Sequence, residues 1–121
     1  MGNLKENNIL DQKAVAFALR IIRAYKFLSG EKQEFVMSKQ LLRSGTAMGA
    51  LVREAEFAES RSDFIHKLSI ALKEANETDY WLTLLHASEY ISDDSFLSIQ
   101  ADSKELIKLL VSIIKTTKGK P

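Results

Sequence analysis

The sequence predicts an all-α fold, an antiparallel up-and-down four-helix bundle, and three observations carry that reading. Proline occurs once, at position 121, and glycine five times in 121 residues, so the turn formers that strand-rich folds need are scarce. Apolar residues recur at spacings of three and four along four long stretches, which is the periodicity of amphipathic helices. With 45% hydrophobic residues, the chain can fill one core and has no room for a second. It therefore reads as one bundle domain over residues 11–118 behind a flexible lead-in over residues 1–10.

Asp11 is the expected N-cap of the first helix, which runs to about Leu28 with Gly30 just beyond its end. Val15, Ala18, Ile22 and Tyr25, joined by Phe17, Ile21 and Leu28, give it a wide apolar stripe expected to be buried. Arg20, Arg23 and Lys26 occupy the rest. The second helix is expected over about residues 32–60, with Met37, Leu41, Gly45, Met48, Val52 and Ala55 as its core face. A further seam, Arg43, Ala47, Ala50, Glu54, Phe57 and Arg61, lies on its far side. A bundle helix needs one seam, so this surplus run of small residues between opposite charges predicts contact with another chain. Gly45 and Gly49 form a Gly-x-x-x-Gly pair, but Arg43 and Arg53 beside them exclude a membrane span and leave close helix packing as the reading.

Ser60 followed by Asp63 resembles a capping box, with Asp in place of Glu, and starts a third helix expected to last to about Tyr90. Phe64, Leu68, Ala71, Leu72, Ala75, Thr78, Leu82 and Leu85 form its core face. Beside that face runs a stripe of Asp63, Lys67, Ile70, Glu74, Glu77 and Trp81. Such a cluster is more often an interface of ion pairs around an aromatic anchor than a pocket holding a catalytic carboxylate against an indole. Residues 92–101 read as a connection with one helical turn around Phe96 and Leu97, and the last helix is expected over about residues 102–117. Leu106, Ile107, Leu109, Leu110, Ile113 and Ile114 fall on one side of it, while Lys104, Lys108, Lys115 and Lys118 lie within about 80° on the other.

The chain has no cysteine, which excludes disulfides, thiolate metal sites and a cysteine nucleophile and fits a reducing cytoplasm. No apolar signal core or membrane-length run is present, and Glu6 breaks the myristoylation pattern begun by Gly2. The expected location is the cytoplasm, with no membrane association. A net charge of +1 conceals segregation: nine Lys/Arg against four Asp/Glu in residues 1–53, three against eleven in 54–102, and five against one in 103–121. Either a basic surface for nucleic acid or complementary faces between subunits would account for this, and overall neutrality favours the second.

Arg20, Arg23 and Lys26 on the first helix and Lys104, Lys108, Lys115 and Lys118 on the last would line one surface if those helices are neighbours. That surface would meet the phosphates of RNA or DNA, although no exposed aromatics interleave with it to stack on bases. Asp63-x-x-His66, with Glu54, Glu74, Glu77, His86 and Glu89, offers a candidate bundle metal site. His66 projects about 160° from Leu68, away from the core where such a metal sits, so no metal and no cofactor are expected. Nothing marks a small-molecule substrate.

The central residues are more specific than the pattern around them. Gln40-Leu-Leu-Arg-Ser-Gly-Thr-Ala-Met-Gly-Ala50, then Glu54-Ala55, then Ser62-Asp-Phe-Ile-His-Lys-Leu-Ser-Ile-Ala-Leu-Lys-Glu-Ala-Asn-Glu-Thr-Asp-Tyr-Trp-Leu82 resemble the four-helix bundle protein family. This is also called the S23 family, known from intervening sequences in bacterial large-subunit ribosomal RNA genes. The resemblance spans about residues 11–117. It implies a bacterial, cytoplasmic protein whose bundles form a homopentameric ring, similar to the accessory protein of diversity-generating retroelements, a basic pentamer associated with nucleic acid. It implies no catalytic residue. Where Gly-Ala-Asn and an apolar residue are typical of that family, this chain has Gly49-Ala50-Leu51-Val52, so no polar role is carried to position 51.

The expected function is that of a non-enzymatic homo-oligomer, an adaptor or structural ring. Arg43, Ala47, Ala50, Glu54, Phe57, Lys67, Ile70, Glu74, Glu77 and Trp81 are its expected subunit interface, and its basic faces are expected to meet RNA or DNA. The competing class is an enzyme with a carboxylate or metal site within the bundle.

Overall fold

Local side-chain chemistry sets where each helix starts and stops in the computed structural model, which describes residues 4–119. The helices are α1 (Leu4–Gly30), α2 (Met37–Glu56), α3 (Arg61–Ala87) and α4 (Asp93–Lys118). Ser60 caps α3 by accepting from the Asp63 N–H at 3.0 Å, and Asp63 Oδ2 accepts from the Glu59 N–H at 3.2 Å. Ser92 caps α4 in the same way, accepting from the Ser95 N–H at 3.2 Å. Asp93 and Asp94 fill the first turn of α4, where the helix dipole favours anions.

α2 starts differently, because Val36 at its N-cap offers no side-chain acceptor. Glu34 supplies one from two residues earlier. Its carboxylate accepts from the N–H groups of Val36, Met37 and Ser38 at 3.2, 3.0 and 2.7 Å, and the Ser38 hydroxyl donates back to the Glu34 carbonyl at 2.7 Å. Three of the four donors that a helix start leaves open are thereby satisfied. At its other end, α3 stops in a Schellman motif: Tyr90 N–H donates to Leu85 O at 2.9 Å and Glu89 N–H to His86 O at 3.0 Å. Glu89 holds the left-handed position, φ 71°, that glycine usually fills.

These starts and stops correct five boundaries expected from sequence. α1 begins at Leu4, so residues 4–10 are helical rather than a loose lead-in, and residues 1–3 lie outside the described residues. Asp11 is then mid-helix and caps nothing; its carboxylate instead takes Arg53 Nε of α2 at 3.0 Å. α2 is shorter than expected at both ends, since the Glu34 cap starts it at Met37 and Phe57 closes it, which moves Arg61 out of the second-helix seam and into α3. The third helix stops at Ala87, three residues early, where Glu89 reverses the backbone. α4 begins at Asp93 rather than near 102, absorbing most of the expected connection, with Phe96 and Ile99 buried.

The helices pack in cyclic order, α1 on α2, α2 on α3, α3 on α4 and α4 back on α1, with no close approach between diagonal pairs among the described residues. Neighbours are antiparallel, as residue pairings show: Ala14 meets Gly49 and Ile21 meets Gly45 across α1–α2, while Lys13 meets Glu105 and Arg20 meets Asp102 across α1–α4. One core runs the length of the bundle, from Leu10, Phe17, Ile21 and Leu28 through Leu41, Met48 and Leu68 to Leu82, Leu106 and Leu110. The only cross-helix polar contact within it joins the hydroxyls of Ser44 and Thr78 at 2.9 Å, among the described residues. The wide stripe expected on α1 divides. Phe17, Ile21 and Leu28 are buried and Ala18, Ile22 and Tyr25 half-buried, whereas Val15 is 40% exposed on the outer side, where Leu19, outside the expected stripe, is 50% exposed.

Candidate functional site

The residues expected from sequence to form a subunit interface come together on one outward surface shared by α2 and α3. On α2, Arg43, Ala50, Glu54 and Phe57 are exposed and Ala47 half-buried, opposite the core residues Leu41, Met48 and Val52. Phe57, at the C-cap of α2, is 82% exposed. On α3, Lys67, Ile70, Glu74, Glu77 and Trp81 are all half-buried along the flank that meets α2. A polar cluster joins the two helices: Arg43 donates to Glu77 Oε2 and to Gln40 Oε1, each at 3.1 Å, and Trp81 Nε1 donates to the same Glu77 oxygen at 3.3 Å. Tyr80, itself exposed, sits edge-on to the indole with ring centroids 5.2 Å apart. Glu74 Oε2 is buried in this flank and has no hydrogen-bond partner among the described residues.

The basic residues do not form the single surface expected of them. Arg20 donates to Asp102 at 2.8 Å and to Ser98 at 3.0 Å, and Lys13 pairs with Glu105 at 2.6 Å, so the α1–α4 junction is charge-balanced. Lys104, Lys108, Lys115 and Lys118 are exposed and make no ion pair among the described residues. They lie about 120–160° round α4 from Asp102, on the outer side turned towards α3. Arg23 and Lys26 are exposed on the far side of that junction. The structure thus keeps the lysine stripe and separates it from the arginines.

A third feature went unseen in the sequence. The end of the bundle that holds the α1–α2 and α3–α4 connections opens into a cleft of about 720 Å³. Leu28, Leu41, Leu82, Leu85 and Ile99 floor it, and the rings of Phe27 and Tyr90 stand at its sides. Arg20, Arg23 and Lys32 border it on one lip; His86, Glu89 and Asp93 border it on the other. His86 is held in place, with Nε2 2.6 Å from Asp93 Oδ1 and its ring stacked on Phe96 at 4.1 Å. The missed signal was Ser92-Asp93-Asp94-Ser95, which is a helix start as much as a loop. Read as a loop, it hid the wall that α4 builds.

No group of three or more His, Asp or Glu side chains among the described residues is arranged to hold a metal ion, and Asp63 and His66 do not converge on one. No helix among the described residues is long and apolar enough to cross a membrane.

Comparison with known proteins agrees with the fold. The family model described as 23S rRNA-intervening sequence protein matches residues 6–112. The chain is also similar to a protein of unknown function from the S23 ribosomal protein family of Bacteroides thetaiotaomicron VPI-5482, whose crystal structure was solved at 1.70 Å. The two are 60% identical, the match covers 91% of this chain and 98% of that one, and the TM-score is 0.90. No curated protein matches the chain.

Proposed function

The chain belongs to the 23S rRNA-intervening sequence protein family, and from that premise we propose that it is a non-enzymatic assembly protein of the bacterial cytoplasm. Copies of the bundle join through the α2–α3 face into a ring, with five subunits as the sequence resemblance implies. The ring turns the α4 lysines outward towards an RNA or DNA backbone. The observation that carries the reading is the α2–α3 surface itself. Ala47 and Ala50 leave room for a close helix approach, Phe57 offers an uncovered ring, and Trp81 provides a half-buried anchor. The unpartnered Glu74 Oε2 is the kind of buried acceptor that a donor from a neighbouring subunit would satisfy.

A ring with an odd number of subunits needs two different faces on each copy, because its contacts are heterologous. The outer side of α1, where Val15 and Leu19 stand exposed beside half-buried Ile22, supplies a second apolar face. Nucleic acid would add to this rather than build it. Four unpaired lysines per subunit, repeated around a ring, give the many phosphate contacts on which such binding depends.

Light scattering tests both parts. The native chain is expected at several times its subunit mass of 13.6 kDa, and Ala50→Arg, which adds bulk and charge to the exposed centre of the face, is expected to reduce it to the monomer. Addition of mixed bacterial RNA and short duplex DNA should raise the mass at low salt, and the rise should reverse as salt increases. A native monomer overturns the assembly. A ring whose mass nucleic acid leaves unchanged, or whose binding survives Glu at positions 104, 108, 115 and 118 together, overturns the lysine stripe.

A further inference from the structure

We propose that the cleft at the connection end of the bundle is a binding site for a small organic monoanion with a flat apolar body, its charged group held between Arg23 and Lys32. Its volume of about 720 Å³ falls within the range of small-molecule pockets, and it joins an apolar floor to a charged rim. Leu28, Leu41, Leu85 and Ile99 supply the floor, which receives an apolar body, and Phe27 and Tyr90 supply rings against which a flat one packs.

The charges at the mouth select the head group. Arg20 is committed to Asp102 at 2.8 Å, and Asp93 to His86 at 2.6 Å. That leaves Arg23 and Lys32, neither in an ion pair among the described residues, against Glu89, which is likewise without one. Arg23 and Lys32 share one lip while Glu89 and the His86-bound Asp93 stand on the other, so the cationic lip offers a single anionic group two donors and the facing carboxylates disfavour a larger negative charge. Lys32 is partly ordered already, with its ammonium 5.7 Å from the centre of the Phe27 ring. Glu89 contributes a further sign: it occupies a left-handed backbone position at φ 71° where glycine would be more stable, and strain of that kind concentrates at ligand sites.

Neither the α2–α3 face residues nor Val15, Leu19 and Ile22 of the α1 face line the site. It lies between the α1–α2 and α3–α4 connections. Two probes that share a body and differ in charge test it: 1-anilinonaphthalene-8-sulfonate, and the uncharged N-phenyl-1-naphthylamine. Fluorescence titration should give one sulfonate site per chain. The double substitution of Arg23→Ala with Lys32→Ala, both at exposed positions, should weaken the sulfonate about tenfold or more and leave the neutral probe within about twofold. Methyl NMR should place the bound sulfonate at Leu28, Leu85 and Ile99. The proposal is overturned if the sulfonate does not bind, if the double variant binds it as tightly as the native chain, if both probes weaken alike, or if the shifted methyls are those of Leu51 and Ile70.

Discussion

Gly45 of α2 lies so close to Ile21 of α1 that a Cβ at position 45 would stand 2.8 Å from Ile21 Cγ1 and 2.9 Å from Cγ2. Ile21 is fully buried and cannot swing away. One turn on, a Cβ at Gly49 would meet the Ala14 methyl at 3.6 Å, an ordinary contact. Gly45→Ala is therefore expected to destabilise by about 1–3 kcal/mol through overpacking. Gly49→Ala should be neutral or stabilise by up to about 1 kcal/mol, since alanine is the better helix former. Urea unfolding of the two variants separates these effects, and equal stabilities would refute the account of the α1–α2 contact.

Glu34 gives the fold a pH dependence with a definite sign. Burial pushes its carboxyl up, yet the N–H groups of Met37, Ser38 and Val36 and the Ser38 hydroxyl together hold it below the ordinary 4.5. A depressed folded value means that the stabilisation is fully present above the ordinary value and is lost as pH falls from there through the folded one. Glu34→Gln should cost about 1–2 kcal/mol at neutral pH. The gap between variant and native chain should then narrow below about pH 4.5. Thermal melts across that range check it; a gap that stays constant with pH counts against the carboxylate as the α2 cap.

Glu89 should be improvable. Its backbone sits at φ 71° within a Schellman motif, a position where a Cβ costs roughly 1 kcal/mol. Glu89→Gly is expected to raise stability by up to about 1 kcal/mol, and so the melting temperature by a few degrees. Glu89→Ala keeps the Cβ and should bring no such gain. If alanine and glycine stabilise alike, charge rather than backbone strain is responsible.

Trp81, the single tryptophan of the chain, reports on assembly directly. Half-buried on the α2–α3 face, it should be shielded from acrylamide in the native assembly and become several-fold more quenchable in Ala50→Arg. Equal quenching in both proteins would remove Trp81 from the interface.

The parts of the fold that were legible in the sequence are those that depend on periodicity. Leu41, Gly45, Met48, Val52 and Ala55 on α2, and Phe64, Leu68, Ala71, Ala75, Thr78, Leu82 and Leu85 on α3, are buried as their spacing requires, while Met37 and Leu72 of the same faces are half-buried. Boundaries were less legible, because they depend on which side chain reaches which backbone group. Glu34 lies outside the helix that it starts, and Glu89 stands where a glycine would have announced a stop. On α1 the apolar residues cover too much of the circumference for periodicity to choose a side, and Val15 fell on the outer one. Arg43 and Glu77 each belong to a seam that spacing reveals, although spacing alone does not pair them as the structure does. The cleft was not legible, since its walls come from two chain segments, 20–41 and 82–99, with forty residues between them, and from a helix turn that reads equally as a loop.

The α1–α4 junction is the sparsest of the four and is bridged by two exposed or half-exposed ion pairs, Lys13–Glu105 and Arg20–Asp102. It also joins the first helix to the last, so closing it carries the largest loop entropy and exposed pairs return little of it. Hydrogen exchange should therefore be ordered around the bundle. Amides at the centres of α2 and α3, locked by the buried Ser44–Thr78 contact, should exchange only on global unfolding. Those of α1 should open earlier, and added salt should speed them by weakening the two pairs. On this view the protein opens like a book along one edge, the edge that also borders the cleft through Arg20 and Arg23.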